Sequence, residues 1–179
     1  LATNLNVSAG PTSTTVSLDC FSHRLDESLD LLFAMLTAPR FEAERLAVEK
    51  GSLRERLAQR NDDAAEILER EWGWLLYGPG HVEARQMTAE GLAALDRDAL
   101  VRFHRDTYRP DHLVVAVAGD VESKPLLGAL ARRLAAWKAT GPPIPWPPAM
   151  PEPRAVPGLY RVEKEIPQGK VVIGQLGAR

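Results

Sequence analysis

Histidines, cysteines and closely spaced carboxylates are the side chains with which a protein binds a metal or moves a proton. This chain has four histidines, His23, His81, His104 and His112. None is paired as H-x-x-x-H or H-E-x-x-H, the spacings that put two imidazoles on one helix face. His23 and Glu27 are four residues apart, but Glu27 opens a helix, and a surface or capping role accounts for the pair. His81 stands in the turn Gly78-Pro79-Gly80-His81. A loop histidine can serve function, but a part in the turn is the simpler reading. His104 adjoins Phe103 on a helix and reads as a packing or surface residue, and His112, at the head of an apolar run, reads as structural.

The remaining candidates are no stronger. A single cysteine, Cys20, excludes an internal disulfide and a thiol-rich zinc site. The serines Ser8, Ser13, Ser17, Ser22, Ser28, Ser52 and Ser123 lack the context of a nucleophile elbow. Gly119-Asp120 follows an apolar run, a place where strand ends bind ligands, but no glycine-rich phosphate loop accompanies it. Read from residues alone, the chain has an architecture and no reaction. It is assigned no catalytic, cofactor-binding or metal-ligating residue.

The elements that would position these side chains are more legible. Leu5-Asn6-Val7 and Thr14-Thr15-Val16-Ser17-Leu18 flank a turn at Gly10-Pro11, and Val16, Leu18 and Cys20 alternate onto one face. Asp26 to Ala38 reads as a helix with Leu29, Leu32, Phe33 and Leu36 at helical spacing, stopped by Pro39. A long charged helix follows from Glu42 to Arg60, with a thin stripe of Leu46, Leu53 and Leu57. Asp63 with Glu66 resembles a capping box for a helix ending at Tyr77 before Gly78-Pro79-Gly80, and Glu66 and Arg70 form an i,i+4 pair. Thr88 caps a short helix, and Asp96 begins another that carries Leu100, Val101 and Phe103. Leu113–Ala118 is a continuous apolar run, expected as a buried central strand. A helix from Glu122 to Trp137 completes this part.

Residues 141–158 hold eight of the fourteen prolines and read as a semi-rigid linker. Two strand-like runs, Leu159–Val162 and Val171–Ile173, come after it. The first residue is Leu, with no charged segment before an apolar stretch, and a strand-like run leads into Arg179; both suggest cut ends. The 179 residues, 45% hydrophobic and 26% charged, suit one domain or one and the start of another. A net charge of -2 carries no basic surplus for nucleic acid. No apolar run reaches the roughly 18 residues of a membrane span. The compartment, periplasmic or cytoplasmic, stays open.

One ordered series is more specific. It runs from Phe41-Glu42-Ala43-Glu44-Arg45 through Glu49-Lys50-Gly51, Leu53-Arg54-Glu55-Arg56-Leu57 and Arg60-Asn61-Asp62-Asp63. It continues with Leu76-Tyr77-Gly78-Pro79-Gly80-His81, Thr88, Asp98-Ala99-Leu100, Phe103-His104, Tyr108-Arg109-Pro110-Asp111 and Val117-Ala118-Gly119-Asp120-Val121. This series resembles the insulinase/pitrilysin family of zinc metallopeptidases, the inverzincins, and most of all their bacterial zinc-protease branch. The resemblance implies an α+β half-domain of the mitochondrial-processing-peptidase-like type, with an antiparallel-rich sheet and helices on one side. It also implies half-domains joined by a linker and closing around an unfolded peptide or protein substrate. On that pattern residues 1–140 are the later part of a first half-domain, 141–158 the linker and 159–179 the opening strands of a second. A second half-domain or partner subunit is the implied partner.

The family's chemistry implies H-x-x-E-H on a helix, two histidines binding zinc and the glutamate activating water. This chain has no such motif. The family's third ligand, a glutamate on a later helix, falls on Arg56 when Phe41 and Asp63 are aligned without a gap. A guanidinium has no lone pair to give a metal. Glu55 is adjacent but turned by ~100° around a helix, and Glu49 lies two turns earlier on about the same face. The bland reading of Arg56 is a surface arginine paired with Glu49 or Asp63. Two functions follow from the resemblance: part of a zinc peptidase or its non-catalytic partner, lining a peptide-binding chamber, or a peptide-binding or assembly module with no hydrolysis. Zinc is expected in the family's catalytic members and not in this chain, which is expected to be inactive alone. An unrelated α+β interaction domain is the third possibility.

Overall fold

A computed structural model of the chain describes residues 3–139, 141 and 150–177. Within them lie strands β1 (Thr3–Ala9) and β2 (Thr14–Cys20), then helices α1 (Leu25–Thr37), α2 (Ala43–Gln59) and α3 (Ala64–Tyr77). Helices α4 (Ala89–Ala94), α5 (Arg97–Thr107) and α6 (Ser123–Ala136) follow. The class is α+β: helices with a small antiparallel sheet. The chain forms two compact units, Leu1–Ala43 with Asp96–Pro147, and Glu44–Leu95 with Pro148–Arg179.

The first unit is built on a hairpin and three helices. Gly10 N–H closes the turn on Ser13 O at 2.8 Å. The antiparallel register sets Leu5 opposite Leu18 and Val7 opposite Val16, so apolar side chains pair across the strands. Val16, Leu18 and Cys20 are half-buried between exposed neighbours, the expected alternation. On α1, Leu29, Phe33 and Leu36 are buried and Leu32 is half-buried. Leu29 and Phe33 form the core with Leu130 of α6, and Leu18, Leu126, Leu134 and Trp137 pack around them. Phe33 meets Trp137 edge to face, with centroids 6.3 Å apart.

Polar contacts hold this packing in register. Arg133 of α6 donates from Nε to Asp30 at 2.9 Å, and from Nη2 to the Asp26 carboxylate at 2.9 Å. These bonds tie α6 to α1. Arg109 is buried, its side chain 5% exposed, and its fork donates to both carboxylate oxygens of Asp111 at 2.9 Å. The hydrogen bond from Arg109 holds the Asp111 carboxyl below the usual carboxylate range; burial opposes this and the positive charge adds to it.

In the second unit, α2 buries no residue, and Leu46, Leu53 and Leu57 form the expected half-buried stripe. Asp63 caps α3 by accepting from the N–H groups of Ala65 (2.6 Å) and Glu66 (3.3 Å). The helix ends where Gly78 takes a left-handed φ of 82°, which its lack of Cβ permits. Thr88 Oγ1 caps α4 by accepting from Gly91 N–H at 3.0 Å. Lys50 Nζ donates to the carbonyls of Ala93 (3.2 Å) and Leu95 (2.5 Å), a cation at the negative end of α4.

Two expectations are corrected. Leu113–Ala118 is no buried strand: it joins no ladder among the described residues, and Val114 is 91% exposed. An apolar run becomes a strand only where another backbone offers hydrogen bonds, and here the sheet consists of β1 and β2 paired with each other. Leu159–Val162 and Val171–Ile173 likewise lie outside any ladder. The second correction concerns Arg70. It bonds Glu71 (3.2 Å), Asn61 (2.9 Å) and Arg60 O (3.0 Å), ordering the start of α3, and makes no pair with Glu66. Of the proline-rich linker, residue 140 before it and 142–149 within it lie outside the described residues, and 150–158 form neither helix nor strand.

Phe33→Ala removes a core ring and costs about 3–5 kcal/mol. Val114→Ala changes stability by less than about 0.5 kcal/mol. Urea unfolding of both variants checks this, and equal losses would contradict the described core. The depressed Asp111 pKa gives a pH prediction. Stability from the Arg109 pair is fully present above the unfolded carboxylate pKa, about 3.9. It is lost as pH falls through the lower folded value. Asp111→Asn therefore lowers the urea midpoint at neutral pH, and the two curves converge in acid.

Candidate functional site

The two histidines with the most defined bonding are committed to local structure. His81, 6% exposed, begins the turn Val82–Ala84, and its Nδ1 accepts from Glu83 N–H at 3.2 Å. The ring stacks on Tyr77, with centroids 4.8 Å apart. The expected turn role of His81 is what the structure shows. His104 of α5 donates from Nε2 to Leu36 O near the end of α1 at 2.7 Å. It stacks on Tyr108 at 4.8 Å and meets Phe41 edge-on at 5.7 Å. Exposed His23 stacks on Phe21, and half-buried His112 lies in the turn Pro110–His112.

No three His, Cys, Asp or Glu side chains come together in a way that could hold a metal ion among the described residues. Arg56, Glu55 and Glu49 are all exposed on α2. Asp63 spends its carboxylate capping α3, and among the described residues Arg56 pairs with neither Asp63 nor Glu49. Among the described residues the donor set does not fit zinc.

What the first unit does present is an apolar groove of about 270 Å³. One wall is the hairpin face at Leu5, Val7 and Val16, and another is α1 at Leu32, Met35 and Leu36. The third is aromatic: Phe41, Phe103, His104 and Tyr108. Phe41 has a left-handed φ of 48°, a strained conformation for a residue with a Cβ. Arg97 pins it by donating to Phe41 O (3.2 Å) and Arg40 O (3.4 Å). The groove can take an apolar side chain, and its lining has no serine, cysteine or carboxylate. Sequence reasoning missed it, since its walls come from segments some hundred residues apart. The one local signal was the aromatic run Phe103-His104 with Tyr108.

Residues 94–178 match the peptidase M16 inactive domain. The chain is 31% identical over 96 residues to an uncharacterized zinc protease of Streptomyces coelicolor, covering 53% of this chain and 21% of that protein. It is 31% identical over 134 residues to an uncharacterized zinc protease of Mycobacterium leprae, covering 69% of this chain and 30% of that one. These matches support an insulinase-like member of the M16 peptidase family. The matched region takes in α5, α6 and everything after them, and it bears the inactive-domain name. The chain thus spans less than a third of the length of these two curated relatives. No described helix is long and apolar enough to cross a membrane.

Purified chain dialysed without metal should retain no stoichiometric zinc, and Arg56→Glu should leave that unchanged, because one carboxylate supplies one of the three ligands such a site needs. Elemental analysis checks both. Zinc retained after dialysis would show that a donor set forms after all.

Proposed function

We propose that this chain is a non-catalytic part of an insulinase-like zinc peptidase, or of its inactive partner, and that it helps wall a chamber that holds unfolded peptide. The observation that carries the reading is the inactive-domain match over 94–178. The absence of a metal-holding group among the described residues supports it. Residues 1–140 would be the later part of one half-domain, 141–158 the connection, and 159–179 the opening of the next. A second half-domain or a partner subunit would complete the chamber, and zinc would belong to catalytic members elsewhere in the assembly.

Peptide capture on this reading uses backbone. An extended peptide can add to a sheet edge through main-chain hydrogen bonds, which accept many sequences, while a nearby pocket takes one side chain. β2 offers its outer edge, and the groove beneath the same hairpin is apolar. The second reading, an assembly module that binds no peptide, predicts association of folded chains instead.

Amide shifts on titrating a labelled unfolded peptide into the full chain separate the two. The expected result is shifts in residues 14–20, with the peptide recovered uncut. Shifts confined to α2 and α3 would count against the peptide-wall reading, and chelator-sensitive cleavage would overturn the inactive one. Limited trypsin digestion tests the layout: the first cut is expected in or beside 141–158, and a first cut inside any of the six described helices would refute it.

A further inference from the structure

The segment that begins at the end of the proline-rich stretch, from Arg154, is seated on α3 within the second unit. Arg154 N–H donates to Tyr77 O at 3.3 Å, at the C-terminal end of the helix, and its Cβ lies over Gly78. Ten residues on, Lys164 Nζ donates to Asn61 O at 2.5 Å, before the N-terminal end. An extended decapeptide reaches up to ~33–36 Å, ample for the ~21 Å length of a 14-residue helix. The chain then bends at Pro167-Gln168 and returns, so that Gly174 lies against the Trp72 indole. A Cβ at Gly174 would stand 2.9 Å from Trp72 Cζ2, so any larger side chain here must displace the ring or the segment.

The segment covers the helix but hides little of its own apolar surface. Leu159 is 98% exposed, Val171 83% and Ile173 92%. These residues belong to the two runs with strand-forming composition, and neither run has a ladder partner. A segment held by few anchors, with apolar side chains in water, opens more readily than the packed helices beneath it.

We infer that residues 154–174 form a releasable strap on α3, anchored as a unit at Tyr77, Asn61 and Trp72. While seated, the strap covers the Trp72 face of α3 and keeps both strand-forming runs from pairing elsewhere. Release exposes that face and frees the backbone of Leu159–Val162 and Val171–Ile173 at the same moment, coupling the two events.

The full chain labelled with 5-fluorotryptophan tests this, with the Trp72 resonance assigned by its loss in Trp72→Phe. Gly174→Val should move the Trp72 fluorine resonance toward that of free fluorotryptophan. It should also speed hydrogen exchange of the Arg154 amide at the opposite anchor, with helical circular dichroism retained. Lys164→Met, which removes the middle anchor without adding bulk, should produce the same two changes and decides the matter if Gly174→Val fails to fold. A Trp72 resonance unmoved by both variants, or one that moves while Arg154 exchange stays at the wild-type rate, overturns the strap as a unit.

Discussion

Burial of one stripe of α1 is the constraint on which the first unit depends. Leu29 and Phe33 on that stripe meet Leu130 of α6, and Leu18 of the hairpin packs onto the same cluster. Side chains of this size stabilise by roughly 1.5–3 kcal/mol each when taken from water. That is enough to bring together segments separated by about a hundred residues. Arg133 then fixes the orientation, since its fork reaches Asp26 and Asp30 one helical turn apart on α1. The groove inherits its shape from the same helix. Leu32, Met35 and Leu36 form one of its walls, and Leu36 O holds the His104 imidazole that forms part of another.

What was legible in the sequence was local. Asp63, Thr88 and Asp96 each cap the helix expected of them, because a cap needs only a short side chain and an N–H two or three residues on. The apolar stripe of α1 and the alternation of β2 are periodicities that any partner would read in the same way. Expectation failed where the partner had to come from far away. The run 113–118 has the composition of a buried strand, but burial is conferred by whatever lies on either side of it. Arg70 shows the same limit at short range. Helical spacing offered it Glu66, but the chain before α3 offered carbonyl and amide oxygens to the same guanidinium, and a fork with several donors takes the geometry that uses more of them.

The candidate site follows this division too. The series that resembles the peptidase family could be read along the chain, while the groove could not. Its walls converge only after α5 lies beside α1, and its strained corner at Phe41 depends on Arg97, fifty-six residues on. Nothing in the composition of either segment announces that meeting.

Among the described residues no group of side chains could hold a metal ion, and the histidines with defined bonds serve the fold. His81 accepts a backbone N–H at Nδ1, and His104 donates from Nε2 to the Leu36 carbonyl, so each ring is tied to the backbone. Both rings are supports in the scaffold. α2 complements them: it buries no residue, so a glutamate or an arginine at position 56 is equally compatible with its packing. The helix keeps its place through the half-buried Leu46, Leu53 and Leu57 and through Lys50 on the end of α4, none of which depends on the charge at position 56. The packing of α2 therefore does not depend on which side chain stands at position 56.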